Sequence, residues 1–90
     1  MNIQFSSAQH AATPGALAEL QRLDYKPQLL LSRHFACDWA ELEPFDQLQN
    51  RQALANGTRI LSAYTIQSTR FWVITEADRS VTTILLPSEY

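Results

Sequence analysis

Apolar positions recur with a helical period up to Asn56-Gly57 and alternate after it. In "TPGALAELQRL", Thr13 stands where an N-cap belongs, and Pro14 stands at the first helical position, where a missing N–H removes nothing the helix would use. Ala16, Leu17, Leu20 and Leu23 then share one face. A second start at Pro27 places Leu30, Leu31, His34 and Phe35 on one stripe and turns Ser32 and Arg33 away. A third helix is predicted from Pro44 to Asn56-Gly57, a pair suited to the left-handed residue that closes many helices. Its stripe of Phe45, Leu48, Gln52 and Ala55 is thin, which predicts a helix at the edge of the core.

Beyond Gly57, "TRILSAYTI", "RFWVIT" and "SVTTILL" are short and rich in β-branched and aromatic residues, as strands are. The connections Gln67-Ser68-Thr69 and Glu76 to Arg79 are short enough only for hairpins. The expected fold is α+β: about three N-terminal helices followed by a three-stranded antiparallel β-meander. It forms one domain over residues 1–90, with residues 1–12, including His10, as an extended N-terminal arm. Parity separates Ile60, Ser62, Tyr64 and Ile66 from Arg59, Leu61, Ala63 and Thr65, and Phe71 and Val73 from Trp72 and Ile74. Both faces of the middle strand are therefore apolar. Either the helices wrap both faces, or the second face meets a homodimer mate or another protein.

Composition narrows the function. Ninety residues, 46% of them hydrophobic, suit a single core. Seven Lys/Arg against nine Asp/Glu give a net charge of −2, so no global positive field attracts nucleic acid, and such binding would need a local patch. The lone Cys37 reads as a small core hydrophobe. "MNIQFSSAQHAATPG" lacks the pattern of a secretory signal, and no stretch approaches the ~20 apolar residues of a membrane span, so a cytoplasmic setting without membrane contact is expected. No metal-ligand spacing or serine elbow is present, and two glycines do not make a phosphate-cradling loop, so no metal and no cofactor is expected.

Three polar groups remain. In "SRHFACDW", His34 and Asp38 are four apart and meet on one face if the helix runs to Asp38; the pair suits a general base or a satisfied structural histidine, and the crowding of Leu30, Leu31 and Phe35 favours the second. Asp38, Glu41, Glu43 and Asp46 form an acidic run, either dipole-favouring charge at the third helix or a weak imitation of nucleic-acid phosphate. At the last hairpin, Asp78 favours the turn by bonding its own backbone, while Glu76, Arg79 and Ser80 add both charge signs and a hydroxyl. Replacing Glu76 and Arg79 by alanine is expected to change stability by no more than about 1 kcal/mol, as for an exposed pair.

The stretches "ATPGAL", "RHFACDWAEL", "RILSAY" and "WVITEADRSVTTILLPSEY" resemble a family of uncharacterised, "plasmid-related" proteins carried on plasmids and integrating conjugative elements. The resemblance covers roughly four fifths of the chain. It implies cytoplasmic residence and mobile-element association, with glycine near Cys37 and Ala40 and a glycine-bearing turn at Gln67–Thr69, where this chain carries other residues. The order of elements is also similar to small ribonuclease toxins of the barnase and RelE type, in which acid–base and cationic groups converge on a sheet face; here His34, Arg59 and Arg70 are the catalytic candidates. The preferred reading is a non-enzymatic protein-interaction module that binds a protein partner or a second copy. Its binding residues would be Glu76, Asp78, Arg79 and Ser80, with Asp38 and Trp39.

Overall fold

The structure, a computed structural model, describes residues 2–90. Proline opens all three helices: α1 (Pro14–Arg22), α2 (Pro27–Phe35) and α3 (Pro44–Asn56). Thr13 caps α1, its Oγ1 accepting from Ala16 N–H at 3.2 Å, and α3 closes on Gly57 at φ 70°, whose N–H returns to the Ala53 carbonyl. Helix α2 stops at Phe35 and does not reach Asp38. Cys37 takes φ 60°, and the N–H groups of Cys37 and Asp38 turn back to the carbonyls of His34 and Arg33, a Schellman closure. Gln67 in the first hairpin holds φ 56°. The left-handed conformation that glycine adopts freely is thus held by Cys37 and Gln67, in the two stretches, near Cys37 and at Gln67–Thr69, where glycine was expected.

The expectation of N-terminal helices followed by a three-stranded antiparallel meander is overturned by a strand in the supposed arm. Gln9–Ala12 form β1, which pairs in parallel with β4 (Val81–Leu85) from Gln9↔Val81 to Ala12↔Ile84. With β2 (Ile60–Ile66) and β3 (Thr69–Thr75) the result is a four-stranded mixed sheet in the order β1-β4-β3-β2, with the helices between β1 and β2 in sequence. "QHAA" has neither β-branched residues nor alternation. It is a strand because β4 and the residue before it offer unpaired carbonyls, Ser80 accepting from Gln9 N–H at 3.0 Å and Ile84 from Thr13 N–H at 2.9 Å.

One sheet face carries the core. Tyr64, Phe71, Val73 and Ile84 pack against Ala16 and Leu20 of α1 and Leu30 of α2, while Ala53 of α3 joins Ile60 and Trp39 in a smaller cluster. The sheet residues of both clusters share one parity. The opposite face, with Ala63, Trp72, Ile74 and Leu85, contributes to neither cluster, yet Ala63, Ile74 and Leu85 are buried. The chain's last residues reach over part of this face. After β4 a 3-10 turn, Pro87–Glu89, brings the Tyr90 ring edge-on to Trp72 at 5.5 Å, with the Arg59 guanidinium 5.4 Å from the Tyr90 ring. Ala63, Ile74 and Leu85 are buried here without a helix over this face, while Trp72 stays half-buried. Glu89 anchors the return by accepting from Thr13 Oγ1–H and Leu86 N–H beside the N-terminus of α1, where a side chain on Gly15 would displace its carboxylate.

Helix α3 is rotated from the expected orientation. Its buried residues are Asn50 and Ala53, while Phe45 and Leu48 are 68% and 51% exposed. The reason lies in β2, an edge strand whose outward backbone groups require partners. Asn50 serves as a surrogate strand, donating from Nδ2 to the Leu61 carbonyl at 2.7 Å and accepting from Leu61 N–H at 3.2 Å. Farther along the same edge, Glu41 accepts from Thr65 N–H. Among the described residues no helix is long and apolar enough to cross a membrane.

Candidate functional site

Helix α2 lays His34 against the core face of the sheet, where the imidazole is fully buried. Its Nδ1 lies 2.6 Å from Ser62 Oγ on β2, and its Nε2 lies 2.8 Å from Thr75 Oγ1 on β3. The bonds continue outward in both directions. Trp39 Nε1–H donates to Ser62 Oγ at 3.1 Å; Thr75 Oγ1 meets Thr82 Oγ1 of β4 at 2.6 Å; Thr82 meets Ser7 Oγ at 2.7 Å; and Ser7 Oγ–H donates to the Gln9 carbonyl at 3.0 Å. All four strands, helix α2, the connection that carries Trp39 and the segment before β1 are joined by one chain of hydrogen bonds.

The two ends of that chain fix its direction. A carbonyl only accepts, so the Ser7 proton points to Gln9 and Thr82 must donate to Ser7. Thr75 then donates to Thr82, so Nε2 of His34 must carry the proton given to Thr75, and Nδ1 must accept from Ser62. Ser62 in turn accepts from the indole of Trp39, which only donates. Every member is satisfied when His34 is the neutral Nε2–H tautomer. Imidazolium has no place here, since it would present two donors where one acceptor is required, and burial pushes the His34 pKa down to about 3.

Ser62 and His34 have the distance of a nucleophile and its base, but nothing can approach them. Phe5 covers the imidazole edge-on at 5.1 Å, held by the bond from Gln4 N–H to the Phe35 carbonyl. Three surface depressions of about 240, 270 and 310 Å³ lie elsewhere, and none is lined by His34, Ser62 or Thr75. The chain of bonds therefore positions α2 on the sheet. The expected pairing of His34 with Asp38 does not form, because α2 ends at Phe35 and Asp38 bonds Arg33 at 2.8 Å. Ser62, Thr75 and Ser7 were missed from the sequence, although Ser62 sits on the same parity as Ile60 and Tyr64, where a hydroxyl needs a buried partner.

The ribonuclease-like constellation is not assembled. Arg59 and Arg70 project from the face opposite His34: Arg59 lies over Tyr90, and Arg70 bonds Glu41 and Thr65 at 3.0 Å each. The acidic run is partly neutralised, Asp38 by Arg33 and Glu41 by Arg70, which leaves Glu43 and Asp46 at the start of α3. Trp39 is buried, with its indole N–H engaged by Ser62. Cys37, expected as a core residue, is half-buried beside the Trp39–Ala53–Ile60 cluster, and burial raises its thiol pKa. Among the described residues no three His, Cys, Asp or Glu side chains gather as a metal site.

At the last hairpin, Asp78 accepts from Ser80 N–H at 2.9 Å, the expected turn-forming bond, and bonding to Ser80 lowers its pKa. Arg79 does more. Its guanidinium donates to the carbonyls of Thr58 at 2.7 Å, Ala53 at 3.1 Å, Glu76 at 3.2 Å and Ala77 at 3.3 Å, clamping the hairpin onto the C-terminal end of α3. The expectation of a nearly silent change at this residue is thereby revised. Arg79→Ala should cost about 1–3 kcal/mol in urea unfolding, as for charged hydrogen bonds at a half-buried site, whereas Glu76→Ala should fall within about 0.5 kcal/mol of the parent. Equal, small effects for both would contradict the clamp.

Comparison of the chain with family models, curated proteins and solved structures gives no match.

Proposed function

We propose that the chain is a non-enzymatic protein-interaction module and that its docking element is the outward face of α3. One observation carries this reading: α3 is fixed to the sheet by Asn50 and capped by Arg79, yet it turns Phe45 and Leu48 into solvent. A helix held rigidly through polar bonds, with its larger apolar side chains pointing away from the core, presents a preorganised surface to another helix or groove. The engagement of His34, Arg70 and Arg79 in internal bonds supports binding in preference to catalysis. Cytoplasmic residence and a mobile-element origin belong to the same proposal. They rest on the lone thiol of Cys37 and on the resemblance carried by "WVITEADRSVTTILLPSEY".

The reading is tested by placing a photoreactive amino acid at Leu48 and, as a control, at the exposed Ser88, and irradiating cells that make the protein. Position 48 should give an adduct of defined mass and position 88 should not. Equal labelling, or none at either position, removes α3 as the docking element.

A further inference from the structure

Beyond the role of α3, we propose that the opposite edge of the sheet is a second docking site, where β1 accepts an extended, uncharged peptide segment of a partner protein as a fifth, antiparallel strand. The chain treats its two sheet edges differently. On β2, Asn50 bonds both backbone groups of Leu61, and Glu41 accepts from Thr65 N–H, so side chains close that edge. On β1, the N–H groups of Gln9 and Thr13 turn inward to the Ser80 and Ile84 carbonyls, and the alternation of a strand then turns the N–H and C=O groups of His10 and Ala12 outward. Among the described residues no side chain bonds these groups; the nearest such bonds go to the Gln9 carbonyl and to Ala16 N–H. "QHAA" also lacks the Lys, acidic residue or proline with which exposed edges are blunted. The partial charges along this edge alternate donor and acceptor, and their complement is another extended backbone.

The depression beside this edge fixes what the incoming strand must carry. His10 and Ala12 pair with Thr82 and Ile84 and share their helix-facing side: the His10 ring lies 5.3 Å from that of Phe35, and Ala12 packs on the main core. Directly opposed residues of an antiparallel pair point to the same face, so a residue set opposite Ala12 sends its side chain toward α2. There a depression of about 240 Å³ opens between β1 and α2, lined by His10, Ala12, Pro27, Gln28, Leu31 and Ile84. No charged side chain lines it; Asp24 and Lys26 lie beyond Pro27, around the next depression. An aliphatic side chain matches these walls, and a charged one would lose its water there without gaining a counter-ion. A second copy does not meet the requirement. Its own β1 would offer only His10 and Ala12 to that face, an imidazole and a methyl group, neither of which fills an aliphatic depression.

Amide hydrogen exchange read residue by residue by NMR tests the site. The probes are end-capped heptapeptides in which threonine and serine alternate with valine, leucine, isoleucine or phenylalanine. In the free protein the His10 and Ala12 amides should exchange about tenfold or more faster than those of Gln9 and Thr13, which β4 and Ser80 hold. A bound peptide should slow His10 and Ala12 alone. Methylating the peptide nitrogen opposite Ala12 removes one donor and leaves every side chain in place, so Kd should rise about tenfold or more. On the protein, His10→Pro removes an N–H that β4 does not use; the variant should keep its β1–β4 protection and lose the peptide. Equal binding of the methylated peptide would reduce the contact to apolar adhesion, and failure of the whole set to bind at about 1 mM would leave the edge without its ligand. Either result overturns the proposal. Slow exchange at His10 and Ala12 that deepens with protein concentration alone would assign the edge to a second copy and overturn it as well. Labelling at position 48 depends on none of these outcomes, so the reading of α3 stands or falls separately.

Discussion

Replacing His34 by alanine is expected to lower the unfolding free energy by about 3–5 kcal/mol, the upper range for a single substitution. Two costs combine. The imidazole leaves a void under Phe5, and its loss takes away the acceptor of the Ser62 proton and the donor to Thr75, leaving these buried hydroxyls only Trp39 and Thr82 as partners, at a cost of about 1–3 kcal/mol for each bond lost. A domain of this size has a total stability of about 5–15 kcal/mol at most, so the alanine variant will be marginal, and graded substitutions are needed along the chain. Thr75→Val keeps the shape but breaks the links to His34 and Thr82; it should cost about 2–3 kcal/mol. Ser7→Ala, at the half-buried outer end where water can replace the hydroxyl, should cost less than about 1 kcal/mol. Urea unfolding of the three variants checks the order, and an outer-end change as costly as Thr75→Val would contradict it.

Acid should unfold this protein through the same residue. The folded-state pKa of His34 is depressed to about 3 from an ordinary 6.5, so between those values the unfolded chain binds a proton that the folded chain refuses. Stability is therefore complete above the unfolded pKa and falls as pH drops below it, by about 1.4 kcal/mol for each pH unit until the folded pKa is reached. Melting temperatures measured from pH 8 down to pH 4 should be flat at first and then decline steadily below pH 6.5. In His34→Gln, which keeps a donor and an acceptor but no titration, the decline over that window should largely disappear. A parent whose stability is unchanged between pH 7 and pH 4.5 would show that the imidazole is protonated without penalty and that the directed chain of bonds is wrong.

Local patterns were legible in the sequence, and non-local demands were not. Pro14, Pro27 and Pro44 mark the three helix starts where the structure has them, and β2, β3 and β4 follow their β-branched runs, because a helix cap or an alternating strand is written within a few residues. β1 was illegible because "QHAA" is a strand only by virtue of β4, far away in sequence. The orientation of α3 failed for a related reason. Burial of Phe45 and Leu48 was expected on apolarity alone, but the open edge of β2 needs an amide, and Asn50 turns the helix to supply it. His34 was placed correctly on the apolar side. Its partners came from two strands instead of from Asp38, since the residues that complete a buried polar chain are selected by tertiary proximity.

The parallel pairing of β1 with β4 sets an order of events during synthesis. Residues 9–12 leave the ribosome early, but their mates at 81–84 emerge only after about 70 further residues have been made, and loop closure over that span must precede the pairing. Until then the nascent chain can assemble the β2–β3 hairpin and its helices, while β1 and the Ser7 hydroxyl wait for a partner. That interval is when an unpaired edge is open to strands from neighbouring chains. Neighbouring ribosomes on one message hold such chains close together during that interval, which makes synthesis itself a point of exposure to misassembly for this fold.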